Sequence, residues 1–339
     1  EILTAWDETG RVRRIWKRDS TLWSGADEDR WLGWLRPADQ EEKALASTFQ
    51  EIKARGFRDA LLLGMGGSSR CAEVLSLTFG GSEGFPKLHV LDSTVPSQVT
   101  RAKSKLSPEH TLYIVASKSG TTTEANVLCD TFLEETKKVV GKNAGGHFAA
   151  ITDPGTPLEA FARKAGFAYV FHGDPEIGGR YSALSNFGRI PSEVIGLDFA
   201  GLLRSAADMA ARCGPGVPCE ENPGAVLGII LAELALQGRD KVTLVITPEI
   251  QIFGTWLEQL LAESTGKEGR GLIPVENEPL GPPEVYDDDR FFVYIRRASE
   301  PDSEQDEAME AVRASGHPIV RIELEDQLRR LLGEDGGVK

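Results

Sequence analysis

From Phe57 onward the chain repeats one unit: a short leucine-rich or β-branched run, a polar loop, then an amphipathic helical stretch. DALLLGMGGSS leads into RCAEVLSLTF and KLHVLDSTVPS into QVTRAKSKL. TLYIVASKSGTTT then leads into EANVLCDTFLEETKKV, and GHFAAITDPGT into PLEAFARKAG. Runs such as LLLG and YIVAS lack polar–apolar alternation, so they read as strands buried on both faces, the condition of a parallel sheet covered by helices. Right-handed crossovers then bring every strand-to-helix loop to one edge of that sheet. A second series follows the Pro/Gly/acid-rich stretch GVPCEENPG, which reads as a linker or hinge. It runs helix AVLGIILAELALQG, strand KVTLVITP, helix EIQIFGTWLEQLLAES, strand RGLIPVENE, strand RFFVYIRR, helix SEQDEAMEAVRASG and strand HPIVRIELE.

The expected fold class is α/β with two lobes, each a mostly parallel sheet flanked by helices. A length of 339 residues suits that count at about 100 to 200 residues per domain. The expected divisions are a helical amino-terminal extension over 1–42, carrying Trp23, Trp31 and Trp34, a first lobe over 43–192 and a second over 193–339. YDDD and SEPDSEQDE read as solvated faces.

Charge narrows the function classes. With 38 Lys+Arg against 52 Asp+Glu the formal net charge is −14, which argues against a nucleic-acid partner but leaves room for a small anion held in one cleft. The longest apolar stretch, Ala225 to Leu236, is broken by Gly228 and Glu233 and falls short of the ~18 residues a membrane span needs. The amino terminus has no apolar core between its charges, so no secretory signal is expected there. Cys71, Cys129, Cys213 and Cys219 form neither a dense framework nor a CxxC pair, which fits free thiols in a reducing cytosol.

Two loops carry the chemistry. Gly64, Gly66 and Gly67 lead into Ser68 and Ser69 between a buried strand and a helix, where glycines let backbone approach an anion and the helix start offers N–H groups. The competing readings are a dinucleotide site using Gly64, Gly66 and Asp92, or a plain turn with Ser69 as N-cap. One unit later come Ser117, Lys118, Ser119, Gly120, Thr121, Thr122 and Thr123. Thr121 with Glu124 fits a capping box, leaving Ser117, Lys118, Ser119 and Thr122 as hydroxyl and ammonium donors suited to a phosphate monoester. Lys118 as a Schiff-base nucleophile is the minor alternative.

Thr247 and Pro248 mark a helix start and Gly266 its end. On that helix Glu263 falls within the apolar arc of Ile252, Phe253, Trp256, Leu257, Leu260 and Leu261. Burial in that arc and the negative helix end would raise its pKa toward that of a general base; a structural carboxylate paired with Lys267 or an arginine is the alternative. In EIGGRYSALSNFGRIP, Gly178 and Gly179 place Arg180 at a tight turn where it could meet a developing oxyanion.

Together GMGGSS, SKSGTTTE, IGGRYSALSNFG and ESTGK, in that order from Phe57 to Lys267, resemble the glucose-6-phosphate isomerase family within the sugar isomerase (SIS) fold. IWKRDSTLW and the details of SKSGTTTE look most like the isomerase half of bacterial transaldolase/glucose-6-phosphate isomerase fusions, with the transaldolase half absent from a chain that starts without Met. The resemblance implies interconversion of glucose 6-phosphate and fructose 6-phosphate through a cis-enediolate, with no metal or organic cofactor, and makes a homodimer plausible. It implies Gly67, Ser68, Ser117, Lys118, Ser119 and Thr122 as substrate-binding residues, Arg180 as the enediolate-steadying arginine and Glu263 as the base. The chain departs from the family in two places. None of His89, His110, His147, His172 or His317 has the family's Q-H setting, and nothing after Glu325 resembles its carboxy-terminal lysine segment, so residues near that junction are expected to be missing.

Overall fold

The computed structural model describes residues 1–36 and 42–324. The segment after Glu325, where the family's lysine would be sought, lies outside the described residues. The chain forms two compact units, one of residues 18–210 and one of residues 1–17 with 211–339. The divisions expected from sequence fall elsewhere, at 42 and 192.

In the first unit the strands are β1 (Asp59–Gly64), β2 (Lys87–Leu91), β3 (Thr111–Ala116), β4 (Phe148–Thr152) and β5 (Tyr169–His172). They lie in the order β2-β1-β3-β4-β5, every pairing parallel. Successive strand residues point to opposite faces, and both faces are covered here. Leu61, Leu63, Tyr113, Val115 and Phe148 pack with Leu128 and Phe132 of helix Thr123–Val140. Ala60, Leu62 and Ile114 pack with Ile52 and with Ile190 of helix Asn186–Val194. Each such large side chain fully removed from water contributes about 1.5–3 kcal/mol, so the unalternating runs are the sheet's strongest determinant.

The second unit's sheet contains β6 (Lys241–Ile246), β7 (Ile273–Glu276), β8 (Arg290–Arg297) and β9 (Ile319–Leu324). Its order is β7-β6-β8-β9, again with parallel pairings. Pro274, which cannot donate to a ladder, sits on the edge strand β7. GVPCEENPG is packed: Cys219 is buried with Val12 and Ile229, its N–H donates to Asp7 Oδ1 at 2.9 Å, and Asn222 caps helix Pro223–Leu236.

Four local expectations need correction. The amino-terminal extension is helical over Ile2–Glu8 and Arg11–Trp16, but residues 18–36 form only short 3-10 turns. The acidic runs are not simply solvated faces. Tyr286 is buried, Asp289 pairs with the half-buried Lys241 of β6, and Asp306 accepts from Tyr294 and Arg296, because a buried cation and a buried phenol on β8 need acceptors; the remaining acidic residues of the two runs are mostly exposed. The Thr121/Glu124 capping box is replaced by Thr122 as N-cap, whose hydroxyl is engaged by Ser117 instead. The helix expected from Thr247 begins at Phe253 after a 3-10 turn over Pro248–Ile250, and Thr247 Oγ1 donates to Glu249.

Candidate functional site

In a sheet of order β2-β1-β3, the chain reverses its direction of winding between β1 and β3, and the crevice beyond their carboxyl ends is where such folds receive ligands. The loops leaving those adjacent strands are Met65–Ser69 and Ser117–Thr122. The structure thus brings together, on one edge, the two loops singled out from sequence.

The second loop is internally organised. Ser117 Oγ and Thr122 Oγ1 lie 2.9 Å apart, Ser119 Oγ and Thr121 Oγ1 2.8 Å, and Thr121 N–H donates to Ser119 Oγ at 3.2 Å. Ser117 is 1% exposed and its N–H donates to Ile151 O at 3.0 Å, while Asp153 N–H donates to Lys118 O at 3.0 Å, so β4 fixes the loop from the side. Four hydroxyls ahead of helix Thr123–Val140 form a preset donor group at the positive end of a long helix dipole.

Lys118 does something the sequence did not reveal. Its ammonium pairs with Asp153 and donates to Asp174 O at 3.0 Å and Pro175 O at 3.3 Å. It therefore ties the hydroxyl loop to the segment leading to Arg180.

The glycine loop closes the same group. Ser68 N–H and Ser69 N–H donate to Met65 O and Gly66 O, making a 3-10 turn; Ser69 is N-cap of helix Arg70–Phe79, but its hydroxyl donates to Gly66 O and makes no cap bond. A Cβ on Gly67 would lie 2.4 Å from the Gly179 carbonyl, so only glycine lets this loop abut the turn that carries Arg180. Ser182 Oγ lies 2.7 Å from Gly179 O and 3.2 Å from Gly67 O, joining the two. Arg180 is half-buried at the start of the turn Gly179–Leu184, its guanidinium 5.8 Å from the Tyr181 ring centre. Asp92, the ribose-binding candidate of the dinucleotide reading, lies 3.8 Å from Arg70. Burial pushes the Cys71 thiol up to about 12, so it is no thiolate nucleophile beside this loop at neutral pH.

Glu263 belongs to the other unit, on helix Phe253–Thr265. The apolar arc does not enclose it: the residue is exposed, because a helical wheel gives an angle and not what covers it. Gln259 Nε2 donates to Glu263 Oε2 at 3.3 Å, and the Lys267 ammonium donates to the Glu263 backbone carbonyl at 2.7 Å. Gln259, Asp153 and Ser182 were missed from sequence. The four-residue spacing of Gln259 and Glu263 was a usable signal; the contacts of Asp153 and Ser182 bridge distant segments and left none.

All four cysteines are free. Among the described residues there is no group of His, Cys, Asp and Glu fit to hold a metal, and no helix long and apolar enough to cross a membrane.

Residues 40–271 match the family model described as Phosphoglucose isomerase. A glucose-6-phosphate isomerase from Cyanothece is 31% identical over 273 residues, covering 71% of this chain and 50% of its own length. This chain spans about half the length of the curated relatives it matches first. Among solved structures, a hypothetical protein from Thermus thermophilus superimposes with a TM-score of 0.78 at 22% identity, covering 98% of this chain and 91% of its own. A glucose-6-phosphate isomerase from Chlamydia trachomatis does so with 0.70 at 19% identity, covering 97% and 78%. At those identities the structures speak for the fold.

Proposed function

Because the chain belongs to the phosphoglucose isomerase family, we propose that it interconverts glucose 6-phosphate and fructose 6-phosphate through a cis-enediolate. The observation that carries this reading is the pair of loops at the β1/β3 crevice, with the turn of Arg180 packed against one and tied by Lys118 to the other. Ser68, Ser117, Ser119 and Thr122 hold the phosphate, so that binding energy from a non-reacting group orients C1 and C2. The Glu263 carboxylate removes the proton from C2 of the open-chain aldose, the C1 carbonyl oxygen takes up the negative charge of the enediolate, the O2 hydroxyl proton passes to O1, and the Glu263 carboxyl, whose proton exchanges with solvent while it is held, delivers a proton to C1 to give the ketose. Arg180 offsets the negative charge on O1 and O2 while it exists. Lys118, its charge paired with Asp153, contributes by fixing the Arg180 segment.

In this reading the phosphate-binding lobe is 43–192 and the glutamate-bearing lobe 193–339. The resemblance also supports a homodimer, a cytosolic setting and a transaldolase domain in a longer polypeptide as parts of the same proposal. A second reading, a phosphosugar-binding module without turnover, is favoured by the exposure of Glu263.

A coupled assay for glucose 6-phosphate formed from fructose 6-phosphate separates them. The isomerase reading expects turnover by this chain and a loss on the order of 10²–10⁴-fold in Glu263→Gln. Binding of fructose 6-phosphate without turnover would establish the module, and turnover unchanged in the variant would remove Glu263 from its role.

A further inference from the structure

Residues 18–36 lack hydrophobic periodicity, yet they are held in a defined course. Asp19 accepts from Thr21 N–H at 3.0 Å, Glu28 accepts from the N–H groups of Ser24 at 2.9 Å and Ala26 at 3.1 Å, and Trp31 Nε1 donates to Asp27 at 3.2 Å. Leu32 and Leu35 are buried. The result is a strap of pinned turns.

Within the first unit, the strap meets the rest of the chain around one short segment. Arg18 pairs with Glu176 at 2.7 Å, Gly33 N–H donates to Glu176 O at 3.0 Å, and Leu32 bridges antiparallel to Ile177. The approach at Gly33 is close: a Cβ there would lie 2.8 Å from Glu176 Cβ and 3.0 Å from Glu176 O. Beyond it, Trp34 stacks on Tyr181 with ring centres 5.3 Å apart and planes 15° from parallel. These contacts fall at residues 176, 177 and 181, immediately before and after Gly178-Gly179-Arg180. A pair of glycines has the largest backbone freedom to lose and no side chains to anchor it. Ser182 and Lys118 restrain the turn from the sheet side, and the strap restrains it from the outside.

We infer that the strap 18–36 is a positioning device for Arg180, with Gly33 and Trp34 as the positioning residues that set where its guanidinium meets the reacting oxygens. This rests on the isomerase reading above. The strap touches residues on both flanks of Arg180 and acts on catalysis through that arginine alone.

The test is a double-mutant cycle on the full chain, with a conservative rescue. Trp34→Ala is expected to lower kcat for fructose 6-phosphate on the order of tenfold or more, with KM changed less than about twofold, since phosphate anchorage lies elsewhere. Trp34→Phe, which keeps a ring to stack, recovers most of kcat. In an Arg180→Ala background, Trp34→Ala costs nothing further, because the group it positions is gone. Equal fractional losses in both backgrounds, an unchanged kcat, or a loss confined to KM would each overturn the inference. If the wild-type chain shows no turnover, the isomerase reading fails by itself, and positioning is read from amide hydrogen exchange instead. Faster exchange in Trp34→Ala across residues 177–182, with the strands unchanged, upholds the restraint; unaltered exchange there overturns it.

Discussion

The two sheets are wound alike and dressed oppositely. Each places its second strand outside its first and continues in order on the other side, β2-β1-β3-β4 in one unit and β7-β6-β8-β9 in the other. Each therefore has a crevice between the strands that begin and reverse the winding. Beyond β1 and β3 stand glycines, hydroxyls and a lysine. Beyond β6 and β8 stand Glu249, Glu300 and Asp302, with Arg297, 2% exposed, 3.2 Å from Glu300 and 4.0 Å from Glu249. The cleft of about 420 Å³ on that edge is lined by Glu276, Glu278, Asp302 and Glu304. A phosphate dianion meets donors and a helix dipole at the first crevice and like charge at the second. Equal topology thus supplies the place, and side chains decide the chemistry.

Substitutions at the edges of the two sheets sharpen that contrast, beginning with the glycines. Gly67→Ala drives a Cβ into the Gly179 carbonyl, so it should destabilise by about 1–3 kcal/mol and lower turnover on the order of 10²-fold. Gly254→Ala, on the helix after β6, meets Glu276 Cβ and Ile246 Cδ1 at 3.3 Å, contacts with side-chain atoms that a shift of a few tenths of an ångström relieves, and no backbone carbonyl. Its effect should stay within about 1 kcal/mol either way. Denaturant midpoints and kcat report both, and equal costs would break the distinction.

The hydroxyls come next. Ser117→Ala leaves Thr122 Oγ1 without its 2.9 Å partner and, on the proposed function, removes a phosphate donor, so KM for fructose 6-phosphate and Ki for inorganic phosphate should rise about tenfold. Thr247→Ala, the first residue after β6 on the second sheet, loses only its bond to Glu249 and should leave both constants unchanged. A rise in Ki for Thr247→Ala would mean that the second crevice takes the anion.

Smallest is an acid-stability difference. The Gly155 N–H, Arg163 and His172 hold the Glu159 carboxyl, at the edge beyond β4, down to about 2 from an ordinary 4.5. A depressed carboxyl stabilises the fold above its unfolded pKa and loses that contribution as pH falls through the folded one. Glu159→Gln should therefore unfold at lower denaturant than wild type at neutral pH, with the gap closing as pH falls from about 4.5 to about 2. A gap that persisted below pH 2 would assign the effect to packing.

How far sequence carried the fold follows from the same physics. The strands were legible because burial on both faces erases polar alternation in LLLG and YIVAS, and each recurs as a strand. Capping was less legible, since Thr121, Thr122 and Ser117 offer similar hydroxyls, and their pairing depends on the tertiary position of the loop. Glu263 showed the limit of the helical wheel: its angle within the apolar arc was readable and its exposure was not. Lys118 was read as a ligand by its neighbours in sequence, while Asp153 and the carbonyls of residues 174 and 175 reach it from two later loops. The strap had no periodic signal at all. It is held by internal turns and by contacts more than 140 residues away in sequence.

The most direct test of the enediolate account is conversion of fructose 6-phosphate in deuterium oxide by the wild-type chain and Glu263→Gln, reading deuterium at C2 of the glucose 6-phosphate formed. The account predicts incorporation by the wild type, because a carboxylate holding the proton exchanges it with solvent, and loss of both product and label in the variant. Conversion with no label at C2, or labelled product formed as fast by Glu263→Gln, would contradict it.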